Sequence, residues 1–248
     1  MANTFESSYD GIAGVYEKWC MGDPAFGPCH DYYIQALKDV EGPLVELGIG
    51  TGMIALPLVQ KYGKHVIGID ESAQMLGLAQ KKYDTGQKNG TLTLQKGNFL
   101  DLTLPRRVPC IYIPFRTIGH IVETEDVLRL FRRIHQNLED NGLLLFDHYV
   151  FCRAWADAHN RKRILMYEDP QIRIEDYYRY DFARERMDCS VFVNDLEVSR
   201  FEFAYHKVGY YQELLEQSSF AIEQLYGGYD HSMLTEYAVE QIYVCRRK

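Results

Sequence analysis

The chain has 248 residues, of which 46% are hydrophobic, and a formal net charge of −8 at pH 7. This length suits one α/β domain, with or without a modest insertion, and the negative charge argues against a nucleic-acid surface, because phosphate binding needs a concentrated basic face. No apolar run approaches the ~18 residues that a membrane span needs. The polar first residues are unlike a signal segment, and the six cysteines show no C-x-x-C spacing. We therefore expect a cytoplasmic protein with reduced thiols, without a zinc site or a disulfide framework.

Residues 1–41 precede the first predicted core strand and are unusually aromatic. Their glycine and proline content predicts a short helix followed by a turn-rich loop, and residues 29–40 have the spacing of an amphipathic helix. We expect this segment to lie outside the sheet. Its aromatic residues include Phe5, Tyr9, Tyr16 and Trp19.

The sequence VELGIGTG at residues 45–52 predicts a buried strand, a tight turn and the start of a helix. Gly48, Gly50 and Gly52 let the backbone approach a ligand, and the helix N-terminus is then directed at it. The spacing G-x-G-x-G, with Glu46 before it, departs from the G-x-G-x-x-G of dinucleotide sites. A nucleotide-like cofactor other than a nicotinamide dinucleotide is therefore predicted.

A second short strand, HVIGID, ends at Asp70, 18 residues beyond Gly52. A carboxylate at this position can accept hydrogen bonds from both ribose hydroxyls of a cofactor. Glu71 follows, and then Ser72 is predicted to cap a helix that carries Met75 on its apolar face.

Residues 91–96 alternate as a third strand and lead into Asn98 and Phe99. Asn98 offers an acceptor oxygen to a ligand, and Phe99 offers an aromatic ring. The alternative is that Asn98 is a simple turn residue.

The fourth predicted strand leads into Pro114, Phe115 and His120, at the edge where open α/β sheets place ligands. An amphipathic helix follows, and then a fifth strand, LLLFDHYV, which brings His148 and Tyr149 to the same edge. His120 is a candidate for orienting a substrate or taking its proton, and the alternative is that it caps the following helix. His148 is a second candidate, with a plain rim residue as its alternative.

Residues 163–206 alternate apolar and polar side chains, which predicts three or four antiparallel strands. Tyr178 lies in the second of these runs and can face a pocket or a plain strand surface. Residues 208–217 form the last predicted helix, and Gly227 and Gly228 suit a tight loop before the final strand.

Taken in order, these motifs resemble those of the class I S-adenosylmethionine-dependent methyltransferases, in particular the small-molecule N-methyltransferases of amino sugars and antibiotics. The resemblance is carried by VELGIGTG, VIGIDESAQMLGLA, GNFLDL, IYIPFRTIGHI and LLLFD, within roughly residues 42–149. It implies an α/β, Rossmann-like sheet of seven strands in the order 3-2-1-4-5-7-6 with the last strand antiparallel. It also implies an N-terminal lid and helix (1–41), a cofactor-binding domain (42–150 and 207–248) and an antiparallel β insert (151–206).

The same resemblance implies S-adenosylmethionine as the cofactor, a small-molecule acceptor and no metal ion. The residues expected to bind the cofactor are Glu46, Gly48, Gly50, Gly52, Asp70, Glu71, Met75, Asn98, Phe99 and Pro114. Those expected to bind the acceptor are Tyr9, Trp19, Phe115, His148, Tyr149 and Tyr178. The expected catalytic residues are His120, Tyr16 and Tyr9, with Tyr9, Tyr16 and Trp19 closing over the sulfonium as a lid; the alternative is that these aromatic residues only pack the segment onto the body.

Methyl transfer to an amine nitrogen is the predicted activity. The sequence has neither a metal-ligand cluster nor an N/D-P-P-Y motif, which disfavours magnesium-dependent O-methylation of catechols and methylation of nucleobases or glutamine. Three alternatives stay open: O-methylation of a hydroxylated metabolite, a nicotinamide-dependent oxidoreductase, and a non-catalytic cofactor-binding protein. A homo-oligomer is compatible with the sequence, which predicts no nucleic-acid or membrane partner.

Overall fold

A computed structural model describes residues 8–248, so Phe5 and the rest of the predicted lid before Ser8 lie outside the described part. The main body is a seven-stranded sheet in the order β3-β2-β1-β4-β5-β11-β10. Its strands are β1 (Leu44–Leu47), β2 (His65–Asp70), β3 (Thr91–Lys96), β4 (Val108–Ile113), β5 (Leu138–Tyr149), β10 (Phe220–Tyr226) and β11 (Glu240–Arg247). The first five strands pair in parallel, whereas β11 is antiparallel to both neighbours. The predicted strand order and the antiparallel last strand are confirmed.

Helices cover both faces of this sheet, as expected for parallel strands that are apolar on both sides. They are α2 (Phe26–Leu37), α3 (Ala55–Tyr62), α4 (Ala73–Thr85), α5 (Thr124–Asn137) and α7 (Tyr210–Gln217). On one face α5 and α7 bury Phe131 and Tyr211, and on the other α2 and α3 bury Tyr33 and Leu58. Ser72 caps α4 as predicted, since its side chain accepts from the Met75 amide at 3.1 Å.

A second, four-stranded sheet lies between β5 and α7 in the chain, with its strands in sequential antiparallel order. Its strands are β6 (Arg163–Glu168), β7 (Arg173–Asp181), β8 (Arg186–Val193) and β9 (Leu196–Ala204). The predicted antiparallel insert is confirmed. The exact residue boundaries between lid, main domain and insert stay predictions.

The N-terminal segment packs against the insert. It consists of a 3-10 turn at Asp10–Val15 and the short helix α1 (Tyr16–Cys20). Ile12 and Ala13 share a buried cluster with the insert strands, into which Met75 of α4 also projects. This cluster joins three parts of the molecule that are far apart in sequence.

Two details differ from the sequence-based expectation. Residues 227–239 form a long loop between β10 and β11 instead of a tight turn, because the Gly227 amide bonds to the Ser232 carbonyl at 2.8 Å and Tyr226 forms a bridge to Met233. In addition, α6 (Arg153–His159), for which we predicted no element, connects β5 to the insert.

Candidate active site

A cavity of about 590 Å³ lies at the carboxyl ends of the parallel strands, bounded by the main sheet, the N-terminal segment and the insert. Its volume falls within the ~300–1,000 Å³ of small-molecule sites. Its position is the one that open α/β sheets use for ligands. The predicted site residues on its wall are Tyr9, Tyr16, Trp19, Gly48, Gly50, Asp70, Met75, Phe115, His120, Tyr149 and Tyr178.

The glycine loop after β1 adopts a conformation that favours glycine, with φ of 74° at Gly48 and 55° at Gly50. A Cβ on Gly48 would come within 2.5 Å of the Thr117 methyl group, and one on Gly50 would face the Tyr16 ring at 3.6 Å. Either side chain would therefore add strain, and at Gly48 it would also displace Thr117. Glycine at these two positions therefore lets Thr117 and the Tyr16 ring lie close to the loop, whose backbone lines the cavity.

Asp70 lies at the end of β2 beside this loop. One of its carboxylate oxygens accepts from the Gly50 amide at 2.8 Å and the other accepts from the Ser72 amide at 2.9 Å. Burial raises the pKa of Asp70, and these two hydrogen bonds oppose the effect. Each oxygen keeps a free lone pair, so the carboxylate can also accept from two ligand hydroxyls.

Tyr9 and His120 meet on the wall, where the Tyr9 hydroxyl lies 2.7 Å from His120 Nε2. Phe201 of β9 stacks on Tyr9 with ring centroids 5.3 Å apart and meets His120 edge-on. Burial lowers the pKa of His120 to about 4, although a hydrogen bond to the Glu202 backbone opposes the shift. The imidazole is thus neutral at pH 7, and its Nε2 can accept from the tyrosine.

Asp147 fixes the loop that carries Phe115. Both Phe115 and Arg116 have positive φ, 53° and 63°, a conformation that costs ~1–3 kcal/mol per residue unless the surroundings impose it. The buried Asp147 carboxylate accepts from both of their amides, at 2.9 and 2.8 Å. The hydroxyls of Tyr33 and Tyr229 donate to the same carboxylate at 2.6 and 3.0 Å. The carboxylate therefore accepts from four donors, two of which are the amides of this turn.

Arg116, whose side chain reaches the wall, already has two anionic partners. It pairs with Asp23 of the N-terminal segment at 2.5 Å and with Glu240 of β11. Burial raises the pKa of Glu240 to about 7, and the guanidinium opposes this shift. The positive charge of Arg116 is consequently balanced before any ligand binds.

Asp176 of β7 also lines the cavity and was missed by the sequence analysis. It is buried, and its carboxylate accepts from Trp19 Nε1 at 2.7 Å and from the Tyr178 hydroxyl at 2.6 Å. A signal for it existed in the sequence. Residues two apart in a strand share a face, so Asp176 lies on the same face of β7 as the apolar Ile174.

Several predicted cofactor residues lie off the wall. Glu46 is buried and accepts from the Tyr112 hydroxyl at 2.8 Å, and burial raises its pKa to about 8. A Cβ on Gly52 would face Leu56 of α3 at 3.1 Å, so this glycine serves packing. Glu71 is exposed, and Pro114 is buried and does not line the cavity.

The strand ends do not bring Asn98, Phe99 or His148 to the cavity. The exposed Asn98 caps a 3-10 turn through the Leu100 amide at 2.8 Å, which matches its alternative role as a turn residue. Phe99 packs against the apolar core. His148 is fully buried with Nε2 3.1 Å from the Ala204 carbonyl, so its ring supports β9 instead of contacting the cavity.

Across residues 8–248, no group of three His, Cys, Asp or Glu side chains is arranged to hold a metal ion. In the same range, no helix combines the length and the apolar character needed to cross a membrane.

Residues 44–142 match the family model described as a methyltransferase domain, and the strand order above is that of the class I methyltransferases. The predicted resemblance is therefore confirmed for fold and domain. Among curated proteins, a provisionally named methyltransferase of Geobacillus sp. is 30% identical over 144 residues, which cover 56% of this chain and 57% of that protein. The chain thus spans little more than half the length of that relative.

Solved structures extend the similarity to the whole chain. The CcbJ methyltransferase of Streptomyces caelestis superposes with a TM-score of 0.84 at 18% identity, covering 98% of both chains. A sugar N-methyltransferase of a Streptoalloteichus species gives 0.67 at 16% identity, covering 94% of this chain and 93% of that one. At such identities the likeness establishes the fold, including the insert.

Proposed function

We propose that the protein is an S-adenosylmethionine-dependent methyltransferase that transfers a methyl group to an amine nitrogen of a small molecule. One observation carries the proposal: a glycine loop with a strand-end carboxylate, Asp70, shares a cavity with the Tyr9–His120 pair and an aromatic wall. The fold of this chain is also that of a sugar N-methyltransferase.

The residues present fit the cofactor. The backbone of Gly48 and Gly50 is open to the cavity, and Asp70 has lone pairs for two ribose hydroxyls. The Tyr16 ring lies beside Gly50 on the cavity wall and suits a sulfonium, since a cation over an aromatic ring gains ~0.5–2 kcal/mol. S-Adenosylmethionine, when bound, supplies an electrophilic methyl group.

The chain's own contribution is alignment and exclusion of water, which can account for ~7–11 kcal/mol of a transfer barrier. His120 is a weak base because its pKa is about 4, whereas an aliphatic ammonium has a pKa of ~8–10. Proton transfer from the ammonium to His120 is therefore uphill by several kcal/mol. We infer that the amine loses its proton to bulk solvent before the site closes, in the equilibrium that the ambient pH sets, and that Tyr9 and His120 orient the free base.

The N-terminal segment acts as a lid in this proposal, because it is anchored on both sides of the cavity. On the main domain, Glu17 accepts from Thr51 at 2.7 Å and pairs with Lys82. On the insert, Lys18 pairs with Asp169 at 2.8 Å, and Trp19 bonds to Asp176. With these contacts formed, the N-terminal segment would exclude water from the reacting groups.

Calorimetry and an acceptor screen test the proposal. S-Adenosylmethionine should bind, and Asp70→Ala should weaken binding roughly 10–100-fold through loss of charge-assisted hydrogen bonds, whereas Asp84→Ala at an exposed surface pair should not. A mass-spectrometric screen with matched amines and alcohols should then show methylation at nitrogen. Methylation of alcohols alone would favour O-methylation, and binding of NADH without S-adenosylmethionine would end the proposal.

A further inference from the structure

Asp176 is a buried carboxylate on the cavity wall, and within residues 8–248 it has no cationic partner. Its side chain is almost fully buried, with 1% exposure. Trp19 and Tyr178, its two hydrogen-bond donors, are both neutral, and in the part of the chain from residue 8 onward no lysine or arginine forms an ion pair with it. A buried carboxylate is costly unless it is paired, so this position needs an explanation.

The alternation of side chains along β7 places Asp176 on the face that lines the cavity. Side chains alternate along β7, and Ile174, Asp176, Tyr178 and Tyr180 share one face, three of which line the cavity. The arginines of β7, Arg173 and Arg179, are on the opposite, exposed face.

The charges around Asp176 do not neutralise it. Asp23, another wall carboxylate, is close enough to raise the pKa of Asp176, and with burial as the main cause the value reaches about 6. Arg116, the arginine on this wall, is already paired with Asp23 and Glu240. Asp176 is therefore mostly ionised at pH 7, and the wall around it carries the aromatic side chains of Trp19, Tyr178 and Tyr180.

We propose that Asp176 is a specificity-determining residue that binds the ammonium group of a cationic, amine-containing acceptor. The inference rests on the proposed function and names its substrate class. Trp19 and Tyr178, which hold the carboxylate, add ring faces that stabilise a cation. The form that attacks is the free base, whose proton has passed to bulk solvent before the site closes. A neutral primary amine still has N–H bonds to donate to Asp176 while its lone pair stays free to attack.

A purely structural role is the competing explanation, since the Trp19–Asp176 hydrogen bond also joins the N-terminal segment to the insert. Asp176→Asn separates the two roles, because the amide keeps an acceptor oxygen for Trp19 and loses the charge. Trp19→Phe is the matched control, because it removes the joining hydrogen bond and keeps both the carboxylate and an aromatic ring beside it.

The experiment measures binding of two probes of similar shape, cyclohexylamine, which is a cation at pH 7, and cyclohexanol, which is neutral. Trp19 and Trp155, the two tryptophans of the chain, both line the cavity, so intrinsic fluorescence reports on it. The wild type should bind the amine roughly 10-fold or more tightly than the alcohol. This preference should vanish in Asp176→Asn and persist in Trp19→Phe, in which Trp155 gives the signal.

A preference that survives in Asp176→Asn, or that is absent from the wild type, overturns the inference. Loss of the preference in Trp19→Phe to the same extent as in Asp176→Asn also overturns it and assigns the residue a joining role. Circular-dichroism melts verify that each variant is folded. The readout involves neither cofactor nor turnover, so a protein that prefers the amine but transfers no methyl group would refute the proposed function and leave this inference standing.

Discussion

The Tyr9 hydroxyl and His120 Nε2 lie 2.7 Å apart, although the two residues are separated by 111 positions in the chain. Burial raises the pKa of Tyr9 above its ordinary value and lowers that of His120 to about 4. Both groups are therefore neutral around pH 7, with the phenol as donor and the imidazole as acceptor. The pair can present the Tyr9 oxygen to an acceptor amine as a fixed hydrogen-bond acceptor.

This geometry predicts a positioning effect on methyl transfer. Tyr9→Phe and His120→Ala should each lower kcat about 10-fold, the value of a lost neutral hydrogen bond, rather than the ~10²–10⁴ of a required general base. The double variant should lose no more than the worse single variant, because both remove the same interaction.

His120→Gln is the control, since its side-chain oxygen can still accept from Tyr9. Between pH 6 and 9 the rate should follow ionisation of the acceptor amine, because His120 stays neutral above about pH 4. A loss of 10³-fold or more in His120→Ala that is not recovered at high pH would identify His120 as a base instead.

A second prediction concerns the turn held by Asp147. In Asp147→Asn, a side-chain NH2 group takes the place of one carboxylate oxygen. In one orientation it faces the Arg116 N–H and the Tyr229 hydroxyl, and in the other it faces the Phe115 N–H and the Tyr33 hydroxyl, all of which are donors. The free energy of unfolding should fall by ~1–3 kcal/mol or more, as for a buried group left unsatisfied. Urea denaturation measures this, and Asp140→Asn, at an exposed ion pair, should change little. Equal stability of both variants would show that the turn does not depend on Asp147.

A third prediction uses Lys18, the only lysine or arginine in residues 1–37. Trypsin cleavage after Lys18 reports opening of the N-terminal segment, because proteolysis tracks the population of the open form. Saturating S-adenosylmethionine should slow this cleavage, and Trp19→Phe should accelerate it by roughly 10-fold or more. Mass spectrometry of the fragments follows the site. Cleavage at the same rate with and without cofactor would count against closure.

Much of the fold was predictable because its signals are local. Alternation, helical spacing and glycine punctuation located the main strands, and the carboxyl ends of parallel strands meet at one edge, which is why Gly48, Gly50, Asp70 and His120 converge. The same period-two argument, applied to β7, places Asp176 with Tyr178.

The remaining features depend on contacts between distant residues. Trp19 and Asp176 are 157 positions apart, and no local pattern links them. Position at a strand end also leaves the direction of a side chain open. His148 and Asn98 lie at strand ends as expected, but His148 is buried against the end of β9 and Asn98 caps a turn.

The last prediction follows from Glu46, whose folded-state pKa of about 8 lies above the ordinary 4.5 because the carboxyl is fully buried. Between these two values the folded protein holds a proton that the unfolded chain has lost. The contribution of this group to stability is therefore present at low pH and is lost as pH rises towards 8. Glu46→Gln removes the titration and keeps an acceptor for Tyr112. Its free energy of unfolding relative to wild type should increase from pH 5 to pH 8 by up to ~1.4 kcal/mol per pH unit, and level off above pH 8. Urea denaturation at several pH values measures this difference, and Glu41→Gln, an exposed position before β1, provides the control. If the difference in the free energy of unfolding between Glu46→Gln and wild type stays constant with pH, Glu46 is ionised in the folded protein, and a buried carboxylate precedes the glycine loop.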